Sequence, residues 1–468
     1  MIAKNLTTLV LLLCSLFTVG QSQSFSLVEA QNYAVEHAFA VKNARMDAAK
    51  AESDVKETLA IGLPQLNASL EYNNFIDIPT QVAQGDIFGF PAYLNEFLGG
   101  VSQETGVPIN APPADPDAIS ELQFGSDQTV TAGITASQLI FDGSFFVGLQ
   151  ASKAYAETMV LNIEKSEADT KTAVAEAYHM VLISRENARI LAESKGVLET
   201  TFNETSELYK NGFAEEMDVD QLQLTLADLE SRINYAEKQA KIAEDMLKFQ
   251  MGLDLNTEMT LTDNVDSLTS GDEVGSMLMT PFSISNNYDY RIQSSYVTLA
   301  ELGIKNEKAR SLPSIGAFYS YSENAQRFEF NFFDGDEAWY PTQLWGVQLS
   351  LPILAGGGGG QRLQKAKIDL ERAEAALSQI EQGAMLEYNA ASSDFDHALE
   401  QRDIQNRNFL LAQRIFDKTQ IKYNEGVASS FDLTQAQNQL LTSQGNYINA
   451  TLQLLNARTR LNKALSTL

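Results

Sequence analysis

Cysteine is all but missing from the 468-residue chain: Cys14 is the only one. It lies inside an apolar run, Leu9 to Val19, that follows Lys4 and precedes the small residues Gly20, Ser22 and Ser24. The run is shorter than the ~20 residues a spanning helix needs, so residues 1–24 read as a cleaved export signal. Leu13 is bulky where an acylated cysteine takes a small neighbour, which argues against lipidation of Cys14. The mature chain then has no thiols, which excludes disulfides and thiolate metal sites. Past Val19 no apolar stretch is long enough to cross a bilayer as a helix. Basic residues are also scarce, 33 Lys and Arg against 61 Asp and Glu. That balance argues against nucleic acid as a partner and fits an exported surface or a cavity that favours cations. The three histidines, His37, His179 and His397, lack metal-ligand spacing and read as helix-surface residues. No nucleophile–base or paired-carboxylate arrangement is present. The expectation is a non-enzyme without cofactor or metal.

Proline is absent from two long stretches, Gly143 to Lys210 and Gln361 to Asn424. Helices of that length would each reach roughly 100 Å, well beyond globular helices, and point to coiled-coil-like packing. Two shorter stretches carry a seven-residue apolar repeat. One has Leu433, Leu440, Tyr447, Leu454 and Leu461, with Ala436, Ser443, Ala450, Ala457 and Ala464 three positions on. The other has Val219, Leu226, Ile233, Ala240 and Leu247, with Leu222, Leu229, Ala236 and Ala243. Strict heptads impose left-handed supercoiling, and alanine allows close approach.

The chain repeats itself. ELYKNGFAEEMDVDQLQ from Glu207 aligns with IKYNEGVASSFDLTQAQ from Ile421, matching Tyr209 to Tyr423, Gly212 to Gly426 and Asp218 to Asp432. GITASQLIFDGS from Gly133 aligns with GVQLSLPILAGG from Gly346, and AIGLPQLNASLEY from Ala60 with ARSLPSIGAFYSY from Ala309. Each half reads helix, strand, loop, strand, glycine junction, long helix, glycine turn, helix. The boundaries follow: a first repeat over 25–254, a connecting segment over 255–287 and a second repeat over 288–468.

Four segments alternate apolar and polar residues: Leu66 to Tyr72, Val130 to Ala136, Ile315 to Tyr321, and Trp345 to Leu351. Such period-two runs are half-wet strands, and lengths near ten residues suit a tilted membrane strand. Tyr72, Tyr319, Tyr321 and Trp345 are candidate girdle aromatics, although all four are also ordinary sheet residues. Four strands cannot close a spanning barrel, which needs at least eight, and an open edge in lipid is prohibitive. Two copies would supply eight strands and three would supply twelve. With an export signal and no spanning helix, the membrane would be a bacterial outer one.

The doubled order of the GLPQL and SLPSI words, QLIFDG before a long helix, and the YKNGFAEEMD and YNEGVASSFD turns resembles the TolC family of outer-membrane channels. The resemblance covers about Phe25 to Leu468. It implies a mainly α chain with a small β part: a long-helix α-barrel tunnel, with four strands per chain entering a shared twelve-stranded barrel. It implies a homotrimer in outer-membrane lipid, docking a periplasmic adaptor protein and an inner-membrane transporter for efflux or type I secretion. A coiled-coil structural protein such as an adhesin stalk is the alternative, but a stalk has no need of alternating strands with glycine junctions in duplicate.

Within that resemblance Gly212 and Gly426 are helix-hairpin turns at the periplasmic end. Asp432 matches an acid that lines the entrance of family members. Asp218 is its first-half equivalent, and Glu215, Glu216 and Asp220 add charge. Like charges gathered from several chains would raise some carboxyl pKa values. The bland reading of Ser429 and Asp432 is a capping box. The chain departs from the family at Gln435, where a second acid can lie, and at Ala428, where an arginine can latch the closed end. LPILAGGGGGQRL, Leu351 to Leu363, fails as a dinucleotide loop because Gln361 takes the last glycine position. It reads instead as a strand over Val347 to Leu354 turning into a helix from Gln361, with Gly356 and Gly357, like Gly143, allowing a turn that a Cβ would forbid. The proline-bearing stretch from Asn74 to Gln128 reads as a long extracellular loop. Its apolar patch, Ile87 to Tyr93, is expected to fold over the channel mouth.

Overall fold

The computed structural model describes residues 23–84, 92–108, 117, 119–123, 125–269, 281–354 and 356–467. The chain forms two compact units. One holds the described residues up to 56 together with 148–307 and 360–467, and the other holds residues 57–147 and 308–359.

The first unit is helical. Helices α4 (Gly143–Lys210) and α8 (Gly358–Asn424) are the two long ones, at 68 and 67 residues. Each is followed by a 36-residue helix, α5 (Glu216–Met251) and α9 (Ser430–Leu465). The heptads fall where they pack. Leu222 and Leu229 of α5, Leu433 and Leu440 of α9, Leu198 of α4 and Phe416 of α8 share one buried cluster. Leu454 and Leu461 join Phe395 of α8 in a second. Outside these clusters the helices expose apolar residues as well as polar ones, among them Leu224, Ile242, Phe249 and Leu386. Among the described residues no helix is long and apolar enough to cross a membrane.

The N-terminal helix is not continuous. It is split into α1 (Leu27–His37) and α2 (Phe39–Ile61), with Ala38 extended between them. The backbone of the break is packed tightly. Gly252, the left-handed cap of α5, sits so close that a Cβ on it would lie 2.4 Å from the His37 carbonyl oxygen. Ahead of α1, strand β1 (Gln23–Phe25) pairs in parallel with β6 (Met259–Leu261). Asp263 fastens the pair: its Oδ2 accepts from the Leu27 amide at 2.7 Å and from the Tyr178 hydroxyl at 2.9 Å. The connecting segment also carries α6 (Val265–Thr269) before α7 (Tyr288–Ala309).

The second unit is built on one antiparallel sheet. The strands β2 (Gln65–Asn74), β5 (Gln128–Asp142), β7 (Ser314–Arg327) and β8 (Tyr340–Ser350) lie in the order β2-β5-β7-β8. The fourth strand ends at Ser350, not at Leu354, because its neighbour β7 begins at Ser314 and offers no partner beyond Ser350. The long loop is not plain coil: it holds strands β3 (Thr80–Gln84) and β4 (Ile119–Gln123), paired with each other, and helix α3 (Ala92–Thr105). Of the expected apolar patch, residues 87–91 lie outside the described residues.

Candidate channel entrance and membrane face

The two hairpin turns have the same hydrogen bonds 214 positions apart. Phe213 N donates to the Leu208 carbonyl at 2.8 Å and Gly212 N to Tyr209 at 2.9 Å; Val427 N and Gly426 N repeat this with Lys422 and Tyr423 at 2.8 and 2.9 Å. This double closure is a Schellman motif and needs a left-handed residue. Gly212 and Gly426 supply it, with φ of 77° and 72°. The turn residues Phe213, Met217, Val427 and Phe431 are all exposed.

Between the turns lies a cavity of about 1430 Å³ lined by Asn203, Phe213, Asp218, Tyr423, Ser430 and Phe431 among others. Its two walls are tied together. The Ser430 hydroxyl donates to Asp218 Oδ1, and the Thr205 and Tyr423 hydroxyls share a hydrogen bond of 2.8 Å. Asp218 also accepts from the Glu215 amide at 3.3 Å, closing the start of α5. The sequence pointed to Asp218 but not to Ser430, because the two are 212 positions apart. Glu215, Glu216 and Asp220 are exposed.

Asp432 is a capping residue, as the Ser429 spacing indicated. Its Oδ2 accepts from the Ser429 amide at 3.0 Å and hydroxyl at 2.8 Å, and its own amide donates back to that hydroxyl at 3.2 Å. These bonds hold its carboxyl below the usual range. Within one chain the shift is therefore downward, opposite to the rise expected from like-charge crowding.

His179 is not a surface residue. It is fully buried, with Nδ1 3.2 Å from Asn456 Oδ1 of α9 and Nε2 without a partner. Burial drives its pKa down to about 4. Nothing in its spacing marks it, since a histidine between Tyr178 and Met180 fits either face of a helix. His37 and His397 do lie near the surface.

The glycine junctions divide. Gly356 and Gly357 have φ of 55° and 78°, so they carry the turn, and α8 starts at Gly358 because the next three glycines take helical dihedrals. Gly143 needs no unusual dihedral. It is the first residue of α4, and a Cβ there would meet Leu312 at 2.8 Å and the Ala309 carbonyl oxygen at 3.2 Å. Close packing, not backbone conformation, requires glycine at that junction.

The sheet has one apolar and one polar face. Register sets Leu66, Ala68, Leu70 and Tyr72 beside Ala136, Ile134, Ala132 and Val130. The same face continues through Tyr319, Tyr321 and Ala325 to Val347 and Trp345. The other face carries Asn67, Ser69, Thr131, Thr135, Ser320 and Ser322. Away from Val130 and Ala325 the apolar face is bare: Leu66, Leu70, Trp345 and Leu349 are 65–77 % exposed. Tyr319 and Trp345 face each other across β7 and β8. Tyr321 is half-buried and donates to Glu323 on the same face, a carboxylate the sequence reading did not place there. Among the described residues β2 and β8 each have a free edge.

Against known proteins, the sequence model described as "Outer membrane efflux protein" matches residues 117–253 and 283–467, more than half of the chain. The chain belongs to this outer-membrane efflux family. It is accordingly placed in the bacterial outer membrane with an extension into the periplasm. It is 24 % identical over 361 residues to the proteases secretion protein PrtF of Dickeya chrysanthemi, covering 76 % of this chain and 70 % of that one. Its fold is similar to the Campylobacter jejuni CmeC outer membrane channel, with a TM-score of 0.67 at 17 % identity over 94 % of this chain and 85 % of the other. It is also similar to the Neisseria gonorrhoeae MtrE channel in its open state, with a TM-score of 0.65 at 16 % identity, covering 94 % and 88 %. Members of the family are trimeric outer-membrane channels that work with adaptor proteins and inner-membrane transporters.

Proposed function

We propose that the chain is one third of a passive exit duct, serving a tripartite efflux pump or a type I secretion system. The observation that carries this reading is the four-stranded sheet with two free edges and one bare apolar face. Backbone groups on a free edge are not tolerated in lipid, and an apolar face of this extent has no place in water. Both problems vanish when β2 of one copy pairs with β8 of the next. Four strands from each of three copies make twelve, within the range of outer-membrane barrels. The bare face then meets lipid and the Ser, Thr and Asn face lines water.

The hairpin turns form the periplasmic entrance in this reading. Asp218, Asp432, Asp220, Glu215 and Glu216 from three copies surround one opening and favour cations over anions. The exposed Phe213, Met217, Val427 and Phe431 are the surface for a periplasmic adaptor, which links the duct to an energised inner-membrane transporter. The chain itself supplies no energy and no chemistry. Imaging the detergent-extracted protein tests the architecture: a three-fold particle with a short wide barrel is expected. A monomer that never enters membrane fractions would overturn it.

A further inference from the structure

We propose that residues 328–339, the loop between β7 and β8, form a lipid anchor that seats Phe330 and Phe333 in the acyl region of the outer leaflet. The loop does not stand up from the strand ends. Phe332, 5 % exposed, packs on Val130 and Ala325 with Trp339 beside it. Tyr72, Val130 and Ala325 are in register on the apolar face, at the strand ends away from the helix junctions. The loop has therefore folded down onto the lipid side of the sheet and away from its polar face. Tyr72 continues the contact, edge-on to Phe330 and Phe332 with ring centres 5.8 and 6.0 Å away, and Phe333 extends it 6.2 Å beyond Phe330.

A buried cation fixes this position. Arg327 is 7 % exposed; its Nη2 donates to the Ala338 carbonyl at 2.8 Å and its Nη1 to Gln326 at 2.9 Å, with Glu337 at 3.8 Å. It clasps the two ends of the loop, and the loop in turn shields a charge that the same face would otherwise present to lipid. Phe330 and Phe333 remain uncovered, at 62 and 92 % exposed. They prolong the apolar band of Leu66, Leu70 and Tyr72 without a break, which is why lipid is the occupant. Glu329, Asp334 and Asp336 stay exposed beside them, so the loop is amphipathic, as interfacial segments are.

The inference rests on the bare face of the sheet meeting lipid, and the experiment separates the two. The chain has 2 tryptophans, Trp339 and Trp345, and both are replaced by phenylalanine. In that background Phe330→Trp, Phe333→Trp, Leu70→Trp and Asp336→Trp are made singly and reconstituted into vesicles with brominated acyl chains. Phe333 is 92 % exposed, so Phe333→Trp is expected to leave folding intact. Expected are short-wavelength emission and strong bromine quenching for Phe330→Trp and Phe333→Trp, as for Leu70→Trp, with Asp336→Trp quenched by iodide instead. If Leu70→Trp is quenched by bromine but the loop positions respond to iodide, the loop stands in water and the anchor is refuted. If the loop positions are shielded from both quenchers, another copy covers them, which also refutes it. If Leu70→Trp itself escapes bromine, the lipid-facing assignment of the sheet falls and takes the anchor with it.

Discussion

The Ser430 hydroxyl is hydrogen-bonded to the Asp218 carboxylate, joining the second helical hairpin to the first across 212 residues of chain. With the Thr205–Tyr423 bond nearby, it links the two hairpins at their turns.

A hydrogen bond to a charged group contributes about 1.5–3 kcal/mol and a neutral one about 0.5–1.5 kcal/mol. Ser430→Ala with Tyr423→Phe is therefore expected to favour separated hairpins by a few kcal/mol. Single-channel recording in planar bilayers should show longer or larger open events, with a melting temperature close to that of the parent. Unchanged conductance would remove these bonds from the gate.

Acid should weaken the helical unit through His179. Its folded pKa, about 4, lies below the 6.5 of the free side chain because burial penalises the imidazolium. In that interval the unfolded chain binds the extra proton. The stabilising effect is thus complete above pH 6.5 and is lost as pH falls toward 4, in total about 3 kcal/mol. Melting curves between pH 7.5 and 4, compared for the parent and His179→Gln, check this; the variant should have the flatter profile.

Two left-handed glycines should differ in cost. Gly426→Ala places a Cβ in open space, so only the backbone penalty of about 1–2 kcal/mol applies. Gly252→Ala adds a collision with the His37 carbonyl and should cost clearly more, or shift α1 against α5. Thermal melts of the two variants side by side decide it, and equal losses would refute the contact.

Loss of the Ser429 cap should be local. Ser429→Ala is expected to cost about 1 kcal/mol and to let the Asp432 pKa rise toward its ordinary value, as carboxyl NMR titration would read. Faster amide exchange confined to the first turn of α9 would accompany it.

Much of this architecture was legible because it is periodic. Heptads announced the seams at Leu222, Leu229, Leu433 and Leu461, alternation announced the four strands, and the duplicated glycine words located both hairpins. What escaped the sequence depends on neighbours far along the chain. Gly252 is glycine because of the His37 carbonyl, Gly143 because of Leu312, and His179 meets Asn456 of α9. Arg327 and Phe332 read as an ordinary loop until register placed Val130 and Ala325 beneath them. The internal structure of 75–127 was hidden because its strands are short and its prolines read as coil.

The pairing of β1 with β6 sets an order of events. Gln23–Phe25 has no strand to lie against until Met259–Leu261 exists, and Leu27 awaits Asp263, 236 positions later. Residues 23–25 therefore stay without this pairing until half the chain has followed. Contacts so distant close slowly, which leaves this end open to proteases and holding chaperones during biogenesis.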